Sequence, residues 1–206
     1  MKISTTILTA KDRVASVKML NNTDTDYIRI DVMDNIFVPN YQLPVNEVNE
    51  LLKITKKPFD IHLMVENPEP FIKKLDKGNI DSITIHLEIK QDIDYLIDLI
   101  KSYGYRVGIA IKMDTDTNQL DKYLDKIDFI LVMSIIPGFG GQKFNDIAIN
   151  KINEIRNKKK NITISVDGGI NNETIGKIKD IADVAAVGSY ITNSNDYQKA
   201  IDSLRN

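Results

Sequence analysis

Hydrophobic and polar residues follow a repeating order along the chain, in which a short apolar run is followed by a segment with helical spacing. The apolar runs recur at intervals of roughly 25 residues, and short runs bounded by polar or glycine residues indicate β-strands. The predicted strands cover residues 3–8, 27–31, 59–64, 82–86, 106–111, 129–133, 162–167 and 184–187. The predicted helices cover residues 12–20, 45–54, 67–77, 93–103, 118–124, 147–157, 172–179 and 197–204.

The strand-then-helix order predicts parallel strand pairing, because each helix serves as the crossover between two parallel strands. Eight such units close most naturally into an α/β fold, a single (β/α)8 TIM barrel over residues 1–206, and a doubly wound open sheet is the alternative. No linker or low-complexity segment divides the chain. The lysine run at residues 158–160 lies at a predicted helix end, where cations complement the helix dipole, so we do not interpret it as a nucleic-acid site.

The composition narrows the kind of protein and the kind of site. A hydrophobic fraction of 42% and a formal charge of −2 are typical of a soluble globular protein without nucleic-acid or membrane partners. The absence of cysteine excludes disulfides and thiolate metal sites, and the presence of only His62 and His86 excludes a histidine-rich one. Because the chain starts without an apolar leader, we expect a cytoplasmic protein.

Polar residues concentrate near the carboxyl ends of the predicted strands. In the strand at 27–31, Arg29, Asp31 and the following Met33 share one face, because alternate side chains of a strand point the same way. In a barrel such positions converge on one mouth. The collected residues are Thr6, Arg29, Asp31, His62, Met64, His86, Lys112, Met133, Ser134, Asp167, Gly188 and Ser189. Asp31 and Asp167 would face each other there, which suits taking a proton from one face of a carbon and returning one to the other.

Two glycine-rich stretches accompany these residues. The first, P-G-F-G-G-Q at 137–142, follows the sixth strand, and D-G-G at 167–169 with G-S at 188–189 follows the seventh and eighth. Glycines permit positive φ and expose backbone N–H groups, which suits an anion or a moving lid. The ends of the seventh and eighth strands are the usual phosphate position in a TIM barrel. The alternative is that these glycines only form tight loops.

Over nearly its whole length the chain resembles the ribulose-phosphate 3-epimerases and their relatives that act on other ketose phosphates. The matching segments are T-I-L (6–8), D-V-M-D (31–34), F-V-P-N (37–40), H-L-M-V (62–65), M-S (133–134), P-G-F-G-G-Q (137–142) with Phe144, V-D-G-G (166–169) and G-S (188–189). The resemblance implies a barrel enzyme of the pentose phosphate pathway that epimerises C3 of a phosphorylated ketose through an enediolate. The expected reaction is D-ribulose 5-phosphate to D-xylulose 5-phosphate, and allulose 6-phosphate is an alternative substrate.

The resemblance also assigns residues. Asp31 and Asp167 match the acid/base pair, and together with His62 they match ligands of a divalent zinc, manganese or iron ion. The expected substrate-binding residues are Thr6, Arg29, Met33, His62, Met64, Met133, Gly138, Phe139, Gly140, Gly141, Gly168, Gly169, Gly188 and Ser189. We expect a phosphorylated ketose as the substrate and a homo-oligomeric assembly.

Three positions depart from the family pattern. Arg29 stands where the family has a metal-ligating histidine, Lys112 where it has asparagine, and Ile136 where it usually has a polar residue. Arginine is always protonated and has no lone pair for a metal. With two carboxylates and a divalent ion, Arg29 would make the site net positive, so we expect metal binding to be weak or absent.

Four interpretations of these departures stay open. Arg29 replaces the metal, or the chain binds a sugar phosphate without epimerising it. Alternatively Lys112 performs Schiff-base aldolase chemistry, or a conventional metal site forms when Arg29 swings out. Asp60, on the same strand face as His62, is a second candidate partner for Arg29.

Overall fold

The computed structural model describes residues 1–205, and eight of its strands form a closed parallel barrel. The strands are β1 (Lys2–Thr6), β2 (Tyr27–Asp34), β3 (Tyr41–Gln42), β4 (Phe59–Met64), β5 (Ile80–His86), β6 (Arg106–Ile111), β7 (Phe129–Met133), β8 (Thr163–Asp167) and β9 (Val184–Val187). All except β3 belong to the barrel, which closes where β1 pairs with both β9 and β2. The predicted (β/α)8 TIM barrel is confirmed, and the open-sheet alternative is wrong. Asn206 lies outside the described residues.

Helices connect most of the barrel strands. They are α1 (Arg13–Leu20), α2 (Val45–Leu52), α3 (Glu69–Lys73), α4 (Ile93–Ser102), α5 (Ile147–Lys158), α6 (Ser189–Thr192) and α7 (Tyr197–Arg205). Asp12 and Asp92 cap the first turns of α1 and α4 by accepting backbone N–H groups. Lys158 and Lys159, at the end of α5, pair with Asp121 and Asp125. Within residues 1–205, no helix combines the length and the apolar character needed to cross a membrane.

Two predicted helices are wrong, because residues 118–124 and 172–179 form mainly turns. They contain the short 3₁₀ segments Thr117–Leu120 and Ile175–Lys177. In the second segment the Asn171 side chain accepts the backbone N–H groups of Glu173 and Thr174 at 2.8 and 3.1 Å. This is the same capping geometry as at Asp92, so it does not oppose a helix, whereas the glycine at 176 does. The backbone instead makes the tighter bonds of a 3₁₀ turn, from Lys177 N to the carbonyl of Thr174 at 3.0 Å and from Ile178 N to that of Ile175 at 3.1 Å. The predicted helix 67–77 likewise shortens to α3.

A small hairpin after β2 is the main element that the sequence pattern does not predict. β2 runs on to Asp34, and β3 pairs with its end in antiparallel register. The turn between them is held by Asp34 Oδ1, which accepts the N–H groups of Ile36 and Phe37 at 2.8 Å each. Asn40 then donates from Nδ2 to the carbonyl of Gly138 at 3.0 Å. The hairpin therefore joins the glycine-rich loop that follows β7.

The barrel separates an apolar layer from a polar interior. On β2, Ile28, Ile30 and Val32 belong to the main hydrophobic core, as the predicted alternation requires. The buried polar and charged residues on the opposite faces of the strands include Ser4, Arg29, Asp31, Asp60, His62, Ser82, Thr84, His86 and Ser165. The interior of this barrel is thus polar along β1, β2, β4, β5 and β8, whereas Ala110, Leu131 and Met133 form an apolar cluster on β6 and β7.

Candidate active site

A cavity of about 590 Å³ lies at the carboxyl ends of the barrel strands. Most of the predicted site residues line it. They are Thr6, Asp31, Met33, Met64, Met133, Gly138, Phe139, Gly140, Gly141, Asp167, Gly168, Gly169, Gly188 and Ser189. Arg29 and His62 do not line the cavity, because both are completely buried behind it.

Arg29 lies at the centre of the charged part of the barrel interior. Its Nε donates to Asp31 Oδ1 at 3.0 Å, its Nη1 to Asp60 Oδ2 at 2.9 Å, and its Nη2 to Asp167 Oδ2 at 3.1 Å. The planar guanidinium suits such a fork of several carboxylates. One side chain therefore connects β2, β4 and β8 across the inside of the barrel.

The third carboxylate corrects the expected charge of the site. Three carboxylates and one guanidinium carry a net charge of −2 when all are ionised. The sequence suggested Asp60 only as an alternative partner for Arg29. In the structure Arg29 binds Asp60 as well as the two carboxylates at the mouth, Asp31 and Asp167. The expectation that Arg29 makes a metal-filled site net positive is therefore wrong, and charge alone does not exclude a divalent ion.

Asp31 is held as a carboxylate by three neighbours. Oδ1 accepts from Arg29 Nε and faces His62 Nδ1 at 3.0 Å, and Oδ2 accepts from Thr6 Oγ1. Burial by itself would raise the pKa of Asp31. The positive charge of Arg29 and the hydrogen bonds from His62 and Thr6 outweigh it, so the pKa lies well below its ordinary value. Asp31 is therefore ionised at neutral pH.

Asp167 lies in a different environment, although Arg29 binds it too. Burial raises the pKa of Asp167 to about 7, and the nearby carboxylates of Asp31 and Asp60 add to the rise against the opposing charge of Arg29. Its side chain is 13% exposed, compared with 3% for Asp31. Two carboxyl groups with separated pKa values suit one base and one acid.

His62 connects the mouth to a second histidine. Its Nε2 faces His86 Nε2 at 2.9 Å, and His86 Nδ1 faces Glu88 Oε2 at 3.0 Å. Burial, together with the charge of Arg29, lowers the pKa of His62 to about 3, and burial also lowers the pKa of His86. The site residues predicted from the strand ends include His86 but not Glu88. The signal for Glu88 is its position two residues beyond His86.

Asp31, His62 and Asp167 form a group that could hold a metal ion. One ligand atom from each lies within 4.8 Å of the others. His62 would contribute Nδ1, because its Nε2 faces His86. Arg29 occupies the fourth position that the resemblance assigns to a ligand, and it offers only donors.

The glycine loops meet on one side of the cavity. Gly169 has a φ of +63°, and a Cβ added there would lie 2.1 Å from the backbone nitrogen of Phe144. A side chain at this position would therefore force the loops after β7 and β8 apart. Ser134 Oγ donates to the carbonyl of Gly168 at 2.6 Å, and Thr174 Oγ1 donates to that of Gly169 at 2.9 Å. These bonds fix the loop that follows β8, and β8 pairs with β9, the strand that leads to Gly188 and Ser189.

The other two departures from the family pattern lie apart from the carboxylates. Lys112 does not line the cavity, and its Nζ lies 4.0 Å from the ring centroid of Phe37. That ring packs against His86 with a centroid distance of 4.7 Å. Ile136 is 66% exposed, and its carbonyl accepts from Gln142 Nε2 at 2.7 Å. Neither side chain is placed for covalent chemistry at the cavity.

Comparison with known proteins gives a consistent family match. The sequence model described as the ribulose-phosphate 3 epimerase family matches residues 2–192. The ribulose-phosphate 3-epimerase of Bacillus subtilis (strain 168) is 33% identical over 213 residues, covering 100% of this chain and 98% of the relative. That of Buchnera aphidicola subsp. Baizongia pistaciae is 41% identical over 189 residues, covering 88% and 83%.

Solved structures are similar in fold. The 3-hexulose-6-phosphate synthase from Salmonella typhimurium superposes with a TM-score of 0.72 at 18% identity, covering 99% of this chain and 96% of that one. At this identity the likeness shows a shared fold.

Proposed function

Because the chain belongs to the ribulose-phosphate 3-epimerase family, we propose that it interconverts D-ribulose 5-phosphate and D-xylulose 5-phosphate by proton transfer at C3. One observation carries the proposal. Asp31 and Asp167 reach the same cavity from β2 and β8, and their surroundings favour opposite protonation states. Epimerisation needs this combination, because one group must accept a proton while another holds one ready.

In the proposed first step, ionised Asp31 takes the proton from C3 of the ketose. The electrons of the C3–H bond form a C2=C3 double bond, and the C2 carbonyl oxygen becomes the enediolate oxygen. In the second step Asp167 gives its proton to the opposite face of C3, and the carbonyl returns. Asp31 is then protonated and Asp167 ionised. Proton exchange with water then returns Asp31 to its ionised form and Asp167 to its protonated form. The reverse reaction starts from the opposite state, in which Asp31 is protonated and Asp167 is ionised.

The methionines support the reaction by their position around the carbon centre. Met33 and Met64 pack with Val38, and Met133 packs with Ile135 on the other side of the mouth. All three side chains line the cavity. Their thioethers provide a polarisable, water-poor surface for the enediolate.

The phosphate of the substrate is proposed to bind at the loops that contain Gly169, Gly188 and Ser189. These loops line the cavity, and hydrogen bonds to the carbonyls of Gly168 and Gly169 fix the loop that follows β8. Exposed backbone N–H groups at the ends of the last two strands suit a phosphate dianion. A free sugar would lose this part of the binding energy.

The family's divalent ion would be held by Asp31, His62 and Asp167. The hydrogen bonds that Arg29 makes to the two carboxylates do not fit such an ion. Asp31 Oδ1 and Asp167 Oδ2 already accept from Arg29. An ion on these oxygens would lie beside a completely buried guanidinium that is always charged, so the two cations would compete for the same carboxylates. The proposed steps therefore involve only the protein's own groups.

The test is exchange of the C3 proton of ribulose 5-phosphate in D₂O, followed by NMR together with the appearance of xylulose 5-phosphate. We expect deuterium at C3 and a mixture of both pentulose phosphates. Binding of ribulose 5-phosphate without exchange would favour a sugar-phosphate binding protein instead. The expected homo-oligomer stays a prediction, and light scattering of the purified protein checks it.

A further inference from the structure

We propose that the guanidinium of Arg29 takes the place of a divalent ion in this barrel, orienting both mouth carboxylates so that the reaction proceeds without a bound metal. The statement about the reaction rests on the proposed epimerase function, whereas the exclusion of the ion does not. Arg29 is a positioning residue in this proposal, because it lies behind Asp31 and does not reach the cavity.

The first support is the way in which Arg29 uses its donors. Nε and Nη2 point to Asp31 and Asp167, so the two carboxyl groups that would share an ion share a guanidinium instead. Both oxygens of Asp31 are engaged, since Oδ2 accepts from Thr6 Oγ1. Asp31 Oδ1 faces both Arg29 Nε and His62 Nδ1, so an ion could coordinate Oδ1 only by displacing one of these two partners.

The second support is that Arg29 is anchored from behind. Asp60 Oδ2 accepts from Arg29 Nη1 at 2.9 Å and from Ser4 Oγ at 3.0 Å, and Ser82 Oγ donates to Asp60 Oδ1 at 3.3 Å. If Arg29 swung out to admit an ion, the 5% exposed Asp60 would lose its only ion pair in the described part of the chain. Unpaired buried charges are strongly unfavourable. This anchoring opposes the interpretation in which a conventional metal site forms around a displaced arginine.

The third support is the charge balance during proton transfer. When Asp31 takes the C3 proton, its negative charge passes to the enediolate, and the permanently charged guanidinium remains beside the same region. Arginine keeps its charge at all working pH values. The guanidinium can therefore stabilise the negative charge of Asp31 before the proton transfer and that of the enediolate after it.

The first experiment measures metal affinity rather than turnover. The protein is produced with zinc and manganese in the medium, its metal content is determined by elemental analysis, and each ion alone is titrated by calorimetry. We expect far less than one equivalent in the wild-type protein. The Arg29→His variant restores a ligand and removes the competing donors. It should bind zinc on the order of 10²-fold more tightly, since changes to the hydrogen-bond partners of ligands alone alter metal affinity by about 10–100-fold.

A matched variant controls for the loss of charge. Arg29→Met removes the guanidinium but supplies no strong ligand for zinc, so its affinity should lie below that of Arg29→His. Equal zinc binding by the wild-type protein and Arg29→His would overturn the proposal. If either variant fails to fold, the wild-type metal content still decides, because near one equivalent of tightly held ion shows that Arg29 does not displace it.

The second experiment separates positioning from folding. Arg29→Lys keeps the positive charge but loses the planar fork. We expect kcat to fall while KM for ribulose 5-phosphate changes little, because Arg29 does not reach the substrate. A rise in KM at unchanged kcat would contradict a positioning role.

Chelator treatment of the wild-type protein tests whether the reaction proceeds without a bound metal. We expect the rate of C3 proton exchange to be unaffected. Exchange that stops with chelator and returns with added ion would overturn this inference and leave the proposed function intact. A wild-type protein that holds no metal and shows no exchange would instead contradict the proposed function, while the displacement of the ion by Arg29 would stand.

Discussion

Arg29 and Asp60 are register partners on β2 and β4, and Arg29 Nη1 donates to Asp60 Oδ2 at 2.9 Å. This pair lies below the mouth, so Asp60 fixes the guanidinium without facing the cavity. Its burial and its additional bonds to Ser4 and Ser82 make it part of the support of the site.

Replacing Asp60 should therefore loosen the barrel interior. We expect Asp60→Asn to lower the free energy of unfolding by about 1–3 kcal/mol, because a buried hydrogen bond to a charged group is lost. Urea unfolding measures the change. Asp81→Asn is the matched control, since Asp81 pairs with Arg106 at a more exposed position and such pairs contribute about 0–1 kcal/mol. Equal losses in both variants would contradict a supporting role for Asp60.

The acid/base assignment predicts a large effect of removing either mouth carboxyl group. Asp31→Asn and Asp167→Asn should each lower kcat by ~10²-fold or more, because a positioned proton carrier is lost. Steady-state epimerisation of ribulose 5-phosphate gives the values, and Asp81→Asn should retain the wild-type rate. Full activity in both mouth variants would refute the assignment.

The raised pKa of Asp167 predicts how its contribution to stability depends on pH. The folded-state pKa of about 7 lies above the ordinary value of 3.8, so the folded protein binds this proton more tightly than the unfolded chain does. The resulting stabilisation is fully present below the ordinary value and is lost as the pH rises through about 7. Relative to Asp167→Asn, the wild-type free energy of unfolding should fall by up to about 1.4 kcal/mol per pH unit in this window. Denaturant unfolding at a series of pH values checks it, and a constant difference would contradict the shift.

The phosphate site predicts strong discrimination against free sugars. Ribulose 5-phosphate should bind the Asp31→Asn variant far better than ribulose, as measured by calorimetry. Gly169→Ala should weaken the binding of the phosphorylated sugar, because a Cβ at that position would collide with the backbone of Phe144. Gly104→Ala is the control for replacing a glycine with positive φ, since it lies at the end of α4 with open space around it. Equal affinities for both sugars would rule out the site.

The position of Lys112 predicts that no Schiff base forms with the substrate. Its Nζ lies against the Phe37 ring and outside the cavity lining. Borohydride treatment in the presence of ribulose 5-phosphate should therefore leave the mass of the protein unchanged. A stable adduct on Lys112 would favour the aldolase interpretation. Lys112→Met should likewise keep most of the epimerase activity.

The sequence predicts the barrel strands well, because each is a short apolar run bounded by polar or glycine residues. The ranges 59–64, 106–111, 129–133 and 184–187 coincide with β4, β6, β7 and β9. The errors fall in short or tightly wound segments. Residues 172–179 form turns around the 3₁₀ segment Ile175–Lys177, which contains a glycine, and the two-residue β3 is too short to give a pattern.

The site is predictable as a set of residues but not as a set of contacts. Strand ends bring Asp31 and Asp167 to one mouth in any parallel barrel, so their meeting follows from the pattern. That Arg29 binds both of them and Asp60 depends on the length and direction of one side chain inside the barrel. The sequence does not carry that information, and it therefore led to the wrong net charge.

The polar interior also has a consequence for how the chain finds its fold. A slip of β2 by one residue against β4 would exchange the two faces of the strand. Arg29 and Asp31 would then enter the apolar layer beneath the helices, and Ile28 and Ile30 would stand among the remaining carboxylates. The cluster thus penalises mispaired intermediates much more than a wholly apolar interior would. We expect that the barrel closes only when β2 and β4 are in the correct register, because only then do Arg29 and its carboxylates pair.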